Sequence, residues 1–211
     1  ANNHAVDQGP RGLQETLTYL EKSRLENVGS GRTLAEAWQP YIHRRDNLRI
    51  AVLAASTIAN YPPMGRGSYF AYAPHQAMQT KLVAAVRKLR SDATIDFIVV
   101  TLHFGAEYLR WPNRDELALL RALDRAGVDV FIGHHPHVLR GIQVTQRMVA
   151  FWSLGNFLFN SGRRSTDDSG VAQVEFVKTP QGARRLEQMR FYPVRLLKGR
   201  ATRPRLAKKR R

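Results

Sequence analysis

Three histidines lie within four positions in residues 133–137, directly after the apolar run of residues 128–132. In an extended backbone, side chains two residues apart point to the same side, and Pro136 biases the residue before it towards an extended conformation. His135 and His137 are therefore expected to present their rings together. Two neutral imidazoles that face one point are a ligand pair for a transition metal. A polar turn whose histidines bond to backbone carbonyls is the alternative.

His103 strengthens the metal interpretation, because it follows a second apolar run, residues 95–102. Ligands of α/β sheets bind beyond the carboxyl ends of the strands, and His103, His135 and His137 leave predicted neighbouring strands at that edge. A buried neutral imidazole needs a partner for each ring nitrogen, so metal ligation explains three such histidines better than packing does. The chain has no cysteine, which restricts the ligands to His, Asn, Asp or Glu.

The elements that position these residues alternate between strands and helices. Apolar residues recur at helical spacing in residues 12–24, 76–90 and 115–126, and buried strands are predicted at residues 48–55, 95–102 and 128–132. This alternation predicts right-handed crossovers and a largely parallel sheet covered on both faces. Four further strand candidates follow without a clear helix, at residues 138–145, 148–153, 171–178 and 189–197. We predict that this second half is antiparallel.

The net charge of +16 is concentrated at the end of the chain, where residues 184–211 hold twelve Lys and Arg against one Glu. The rest of the chain carries only +5, and its 43% hydrophobic content supports a folded domain. Charge confined to one terminus is typical of an appendage, so residues 198–211 are predicted to be a basic, disordered tail. Nucleic acid is the least favoured partner, because only the tail supports it.

The start of the chain shows no signal peptide, and no apolar run approaches the roughly 20 residues that span a bilayer. The first residue is Ala1 rather than Met, so we expect a preceding segment. If that segment carries a signal or an anchor, the protein is expected in the cell envelope or outside the cytoplasm.

Five motifs occur in a characteristic order, at residues 1–9, 28–31, 103–108, 133–138 and 153–157. Together they resemble the bacterial capsule-synthesis family of poly-γ-glutamate biosynthesis proteins, called CapA-like, and the resemblance runs from Ala1 to about Phe159. That family is similar to the calcineurin-like metallophosphoesterases. The resemblance implies a layered α/β fold over residues 1–197, a metallophosphoesterase-like β-sandwich flanked by helices.

The resemblance also implies roles for five residues. Asn3 is similar to an asparagine metal ligand, and His4 is similar to the catalytic histidine beside it, which stabilises or protonates the reacting phosphate. His103 resembles the isolated histidine ligand of the metal. His135 and His137 resemble the histidine pair that completes the ligand set.

Three further residues are assigned to the substrate or to the surroundings of the ligands. His134 lies beside the histidine pair, and Arg110 suits an anionic group. Gly155 permits a tight turn that aims the amide of Asn156 at substrate or ligand. A purely structural turn is the alternative for Asn156.

The resemblance implies a site for two divalent metal ions, Mn, Fe or Zn, which activate a bridging water and neutralise the oxygens of the group attacked. The family's Gly-Asp motif, which follows an upstream strand, and a second acidic residue are absent from this sequence. We therefore expect a domain that lacks its N-terminal strand or strands. It is expected to hold one metal or none, which leaves open whether it is active as it stands.

Two functions remain open at this point. The first is a CapA-like protein of capsule or poly-γ-glutamate biosynthesis, a metal-dependent hydrolase when full-length, which acts on a phosphorylated or amide-linked substrate. The alternative is a non-catalytic subunit that binds an anionic polymer or assembles with other capsule-synthesis proteins. Binding that weakens with ionic strength and survives chelation would favour the alternative.

Overall fold

The computed structural model describes residues 1–61, 69–159, 162–197 and 203–207. The strands of these residues are β1 Ser30–Gly31, β2 Tyr41–Arg45, β3 Leu48–Ser56, β4 Tyr69–Phe70, β5 Phe97–His103, β6 Val130–His134, β7 Ile142–Val144, β8 Val149–Phe151, β9 Asp168–Lys178, β10 Arg184–Leu197 and β11 Arg203–Leu206. The helices are α1 Gly9–Lys22, α2 Leu34–Ala37, α3 His75–Ser91 and α4 Arg114–Ala126. A 3₁₀ turn occupies Arg164–Thr166.

A six-stranded sheet in the order β2-β3-β5-β6-β8-β7 forms the centre of the structure. Strands β3, β5, β6 and β8 are parallel, as the alternation of strands and helices predicts for β3, β5 and β6. The prediction of an antiparallel second half is wrong for β8, which pairs in parallel with β6. The short β7 strand returns beside β8 in the antiparallel direction and forms one edge of the sheet. The charged β2 strand forms the other edge, beside β3.

The two faces of this sheet are covered differently. Helices α3 and α4 cover one face through buried side chains at helical spacing: Met78, Leu82 and Val86 from α3, and Leu119, Leu120 and Leu123 from α4. The second sheet, β11-β10-β9, covers the other face and packs mainly on Val130, Val149 and Phe151. The predicted layered α/β fold, a β-sandwich flanked by helices, is confirmed. In the described parts of the chain, helices cover only one face of the central sheet.

Two local sequence features set the beginning and the end of α4. Asn113 and Glu116 form a reciprocal capping box at its beginning, which satisfies backbone donors that a helix start leaves unpaired. Gly127 ends the helix in a left-handed conformation with φ +107°, as expected for a glycine just past the last helical turn. The chain then enters β6, whose carboxyl end carries the histidines.

Part of the predicted tail is ordered. Strand β11 pairs antiparallel with β10 through residues such as Leu206 opposite Val194, so the prediction of disorder is wrong for these residues. An open strand edge has unpaired backbone groups, and β11 pairs with those of the last four residues of β10, 194–197. Residues 198–202 and 208–211 of the predicted tail lie outside the described residues.

Helix α1 packs Leu13 and Leu17 against Val6 and Phe70, which brings the first residues of the chain over the edge of the central sheet. Within the described residues, no helix combines the length and apolar character that crossing a membrane requires.

Candidate metal centre

A cavity of about 470 Å³ opens at the carboxyl ends of the parallel strands. Its polar lining comes from the segment before α1, from the ends of β5 and β6 and from the loop after β8: Asn2, Asn3, His4, His103, His134, His135, His137, Ser153 and Asn156. Phe157 and Phe159 supply apolar walls. The structure thus brings together seven of the eight predicted site residues. Arg110 is exposed and does not line this cavity.

Three possible metal-ligand atoms converge in the cavity. The Nε2 atom of His103 lies 2.8 Å from Oδ1 of Asn3 and 3.1 Å from Nδ1 of His135. If Nε2 of His103 carries a proton, it can donate to Asn3 but cannot accept from His135. If it carries none, it can accept from His135 but faces the Asn3 oxygen with no proton between them. Two imidazole nitrogens and an amide oxygen that crowd one point fit a divalent cation better than they fit one another.

The backbone at His135 and His137 is not extended. The prediction of an extended conformation, which was based on Pro136, is wrong. Strand β6 ends at His134, and the next histidines adopt positive φ angles, +98° for His135 and +59° for His137. Such angles are unfavourable for a side chain with a Cβ, at about 1–3 kcal/mol each. The rings are nevertheless neighbours, with centroids 6.0 Å apart. The backbone N–H of Tyr108 donates to the carbonyl of Pro136 at 2.8 Å and holds this turn.

Burial keeps His103, His134 and His135 in the uncharged form that a metal ion requires. Removal from water, with smaller contributions from the neighbouring histidines, lowers the pKa of His103 to about 3. Burial also lowers the pKa of His134 and of His135, and Glu107 partly opposes the shift at His135. An uncharged imidazole has a free lone pair, so these shifts suit metal ligation at neutral pH.

His137 is held by Asn156 rather than by another histidine. Its Nδ1 atom lies 2.8 Å from Oδ1 of Asn156, and an Nδ1–H that donates there leaves Nε2 as the nitrogen available to a ligand. Gly155, with φ +73°, makes the turn that delivers Asn156; a Cβ there would meet the Asp168 carbonyl oxygen at 2.7 Å. The buried Nδ2 of Asn156 has no hydrogen-bond partner among the described residues. Such an orphaned donor is typical of a group kept for a ligand or water.

Glu107 adds a carboxylate that was not among the predicted ligands. Its oxygen and one ring nitrogen each of His135 and His137 lie within 4.8 Å of one another, close enough to share a metal ion. The sequence offered one signal for it, since Glu107 follows His103 by four residues in the same loop. A hard carboxylate beside imidazoles suits Mn, Fe or Zn.

His4 forms a separate cluster at the cavity wall. Its Nδ1 lies 2.6 Å from Oδ2 of Asp7, and this hydrogen bond is the main cause that lowers the pKa of Asp7. Asn60 joins the cluster, because its Nδ2 lies 3.3 Å from Oδ1 of Asp7 and its Oδ1 accepts a hydrogen bond from Nδ2 of Asn3 at 2.8 Å. Asn60 belongs to none of the sequence motifs. Because it lies 57 positions from Asn3, the contact between them could not be predicted from the sequence.

A buried ion pair holds the loop that carries Glu107. Arg140 and Glu116 are almost inaccessible and lie 3.3 Å apart. Arg140 also donates to the carbonyls of Leu109 and Ala106, at 2.7 and 3.3 Å. Gly105, with φ +92°, lets the chain pass over Glu116, where a Cβ would meet a carboxylate oxygen at 2.2 Å. These contacts fix the position of the loop between β5 and α4.

Comparisons with known protein families, sequences and structures find relatives of this chain. Residues 1–161 match the family described as bacterial capsule synthesis protein PGA_cap. The chain is 34% identical over 183 residues to the PGA biosynthesis protein CapA of Bacillus subtilis, covering 86% of this chain and 47% of that protein. It is 31% identical to the capsule biosynthesis protein CapA of Bacillus anthracis, covering 82% of this chain and 42% of that protein.

The chain therefore spans about half the length of these curated relatives. Among solved structures, it is similar to the sulfate thiohydrolase SoxB of Thermus thermophilus, with a TM-score of 0.53 and 16% identity over 93% of this chain and 30% of that one. At this identity the likeness concerns the fold alone. By its sequence match over most of its length, the chain belongs to the bacterial capsule synthesis protein family PGA_cap.

Proposed function

We propose that this chain binds a divalent metal ion, Mn, Fe or Zn, and acts in capsule or poly-γ-glutamate biosynthesis as a metal-dependent hydrolase of a phosphorylated substrate. The observation that carries the proposal is the convergence of Asn3 Oδ1, His103 Nε2 and His135 Nδ1 in one cavity. The printed names of the relatives supply the biosynthetic setting.

The residues of the cavity have distinct tasks in this proposal. Asn3, His103 and His135 hold the metal, and His137 and Glu107 contribute beside them. When bound, a divalent metal polarises a phosphoryl oxygen and lowers the pKa of bound water.

The proton for the leaving group comes from His4. Its Nδ1–H is held by Asp7, and the imidazolium form of the ring carries a second proton, on Nε2, which it would give to the leaving oxygen. Phe157 and Phe159 line the cavity and exclude water from the reacting groups. Asn156 keeps the ring of His137 in one tautomer.

Hydrolysis of bis(p-nitrophenyl) phosphate by the Mn²⁺-loaded chain tests the proposal. Turnover is expected to stop with a chelator and to return with Mn²⁺, and His135→Ala is expected to lower it about a hundredfold or more. His43→Ala changes an exposed histidine on β2 and is the matched control, with unchanged turnover. Activity that survives chelation, or no activity in a metal-loaded chain, would refute the hydrolase.

A second candidate function, the binding of an anionic polymer, is favoured by a groove at the opposite end of the sheet. This arginine groove, a cavity of about 430 Å³, is lined by Arg90, Arg125, Arg147 and Arg184 and by the single carboxylate of Asp129. Arg90 pairs with Asp129, and Arg184 donates to the carbonyl of Ile95 at 2.6 Å. The groove thus carries more positive than negative charge.

Two of these arginines remain available to a partner. Within the described parts of the chain, neither Arg125 nor Arg147 has a side-chain hydrogen bond or ion pair. An adjoining cavity of about 590 Å³ shares both residues and adds the carboxylate of Asp124 to the lining, which extends the groove along the surface. A guanidinium binds a carboxylate through two parallel hydrogen bonds, so this extended groove suits a polymer with regularly spaced carboxylates.

Binding of poly-γ-glutamate measured at increasing salt tests this candidate. The Arg125→Ala/Arg147→Ala variant is expected to bind at least about tenfold more weakly and with a shallower salt dependence. The Arg44→Ala/Arg45→Ala variant removes the same charge from exposed positions on β2 and should change affinity less than about twofold. Equal losses in both variants would show that only net charge matters.

A further inference from the structure

Among the described residues, Asn60 is the one whose side chain contacts both Asn3, a ligand in the proposed metal site, and the His4–Asp7 pair. Its Oδ1 accepts a hydrogen bond from Nδ2 of Asn3 at 2.8 Å, and its Nδ2 faces Oδ1 of Asp7 at 3.3 Å and Nδ1 of His4 at 3.1 Å. Its backbone N–H also donates to the carbonyl of Asn3 at 3.2 Å. Asn60 therefore touches three residues of the segment that precedes α1.

The contact with Asn3 decides which way the Asn3 amide faces. A side-chain amide has one accepting oxygen and one donating nitrogen. Because Nδ2 of Asn3 donates to Asn60, the oxygen of Asn3 must face the opposite way, towards Nε2 of His103 at 2.8 Å. Without Asn60 the amide could rotate and present its NH₂ group, which cannot ligate a cation.

The contact with Asp7 determines where the protons lie in the cluster of His4, Asp7 and Asn60. The Nδ1–H of His4 donates to Oδ2 of Asp7 at 2.6 Å, so in this tautomer Nδ1 cannot also accept a hydrogen bond from the Asn60 amide. The Asn60 amide then donates to the other carboxylate oxygen, Oδ1 of Asp7, at 3.3 Å. Each proton has one acceptor in this arrangement, and Nε2 of His4 stays available to the cavity.

We propose that Asn60 is a positioning residue that turns the oxygen of Asn3 towards the metal and holds the His4–Asp7 pair beside it. The inference rests on the metal site proposed above. Asn60 does not ligate the metal in this account, and it acts on metal affinity only through Asn3. A residue that orients a ligand from behind typically changes metal affinity 10- to 100-fold when it is removed.

A double-mutant cycle on Co²⁺ affinity, followed by the visible absorption of the bound ion in the full chain, tests the proposal. Asn60→Ala is expected to weaken Co²⁺ binding about tenfold or more in the wild-type background. In the Asn3→Ala background the same change is expected to cost less than about twofold, because the group through which it acts is gone. Asn47→Ala, an exposed asparagine in the turn between β2 and β3, is the matched control and should leave affinity unchanged.

A second variant separates positioning from general damage to the fold. Asn60→Asp/Asp7→Asn exchanges the amide and the carboxylate, so an oxygen still accepts from Asn3 and no two carboxylates face each other; Co²⁺ affinity and the absorption band should return to within about twofold of the wild-type level. Equal losses from Asn60→Ala in both backgrounds, or no rescue by the exchange variant, would overturn the inference while the metal site stands. A wild-type chain that binds no Co²⁺ would refute the proposed metal site, and with it this inference.

Discussion

Two polar clusters lie at the carboxyl edge of the central sheet, and only one of them is complete. Arg140 bonds to Glu116 and to two loop carbonyls. In the cavity beside it, Nε2 of His103 faces two atoms with one proton to give, and the buried Nδ2 of Asn156 has no partner among the described residues. The ion pair therefore stabilises the fold, whereas the cavity keeps polar groups unpaired, as a ligand site does.

The backbone shows the same contrast. The loop over Glu116 turns at Gly105, which adopts its positive φ without a steric penalty. The cavity instead places histidines at positive φ, His135 at +98° and His137 at +59°. Strain of this kind persists where the surrounding structure and a function require it. The comparison yields four predictions.

The largest expected effect is the loss of stability when the buried pair of Arg140 and Glu116 is broken. Arg140→Met leaves the Glu116 carboxylate buried without its partner and should lower the free energy of unfolding by about 3–5 kcal/mol. Urea unfolding measures the change. Arg195→Met removes the half-exposed pair with Asp168 and should cost less than about 1 kcal/mol. Similar losses in the two variants would refute the structural importance of the buried pair.

His135→Gly should separate stability from binding. Glycine tolerates the positive φ of this position, so we expect the metal-free chain to unfold at an unchanged or higher free energy, by up to about 1 kcal/mol. The same change removes a ligand and should weaken Co²⁺ binding by about a hundredfold or more. Unfolding with chelator and titration with Co²⁺ measure the two quantities. A metal-free chain destabilised by more than about 2 kcal/mol would make His135 a structural residue.

Asn156→Leu tests whether the buried amide of Asn156 contributes to metal binding. Leucine has nearly the same size and removes the unpaired Nδ2, so stability should change by less than about 1 kcal/mol. His137 loses the acceptor that fixes its ring, and metal affinity should fall about tenfold. Isothermal titration with Mn²⁺ measures the loss. An unchanged affinity would mean that the contact with Asn156 serves the turn alone.

The smallest effect, counted per pH unit, is the pH dependence of stability. The pKa of His103 falls from its ordinary value of 6.5 in the unfolded chain to about 3 in the folded one. Below pH 6.5 the unfolded chain therefore binds more protons than the folded one, and stability declines as pH falls towards 3. One such proton gives a slope of at most about 1.4 kcal/mol per pH unit. Urea unfolding of the metal-free chain at several pH values should show this slope. His103→Gln should lower the slope by up to about 1.4 kcal/mol per pH unit, the contribution of one proton.

Much of the architecture was predictable from local patterns. Helical spacing located α1, α3 and α4, and apolar runs located β3, β5 and β6. The position of His103, His135 and His137 after these strands predicted their common edge, since ligands of α/β sheets lie there. The charged β2 strand has no such pattern and was missed, because its pairing with β3 rather than its own side chains places it in the sheet.

The details of the site depend on contacts between distant residues, which local rules do not describe. The conformation of His135 contradicts the preference of a residue before proline, because the hydrogen bond from Tyr108 to Pro136 holds a different turn. Asn60 and Arg140 were not predicted either, since their partners Asn3 and Glu116 lie 57 and 24 positions away. The strand at residues 203–206 was missed because charge alone suggested disorder.

The most direct test of the account is the metal content of the purified, gel-filtered chain, measured by elemental analysis after incubation with Mn²⁺ and removal of free ions. The account predicts about one or more metal ions per folded chain, and almost none in the folded His103→Ala/His135→Ala variant. A folded wild-type chain without metal, or equal metal in both proteins, would contradict the claim that Asn3, His103 and His135 form a metal site.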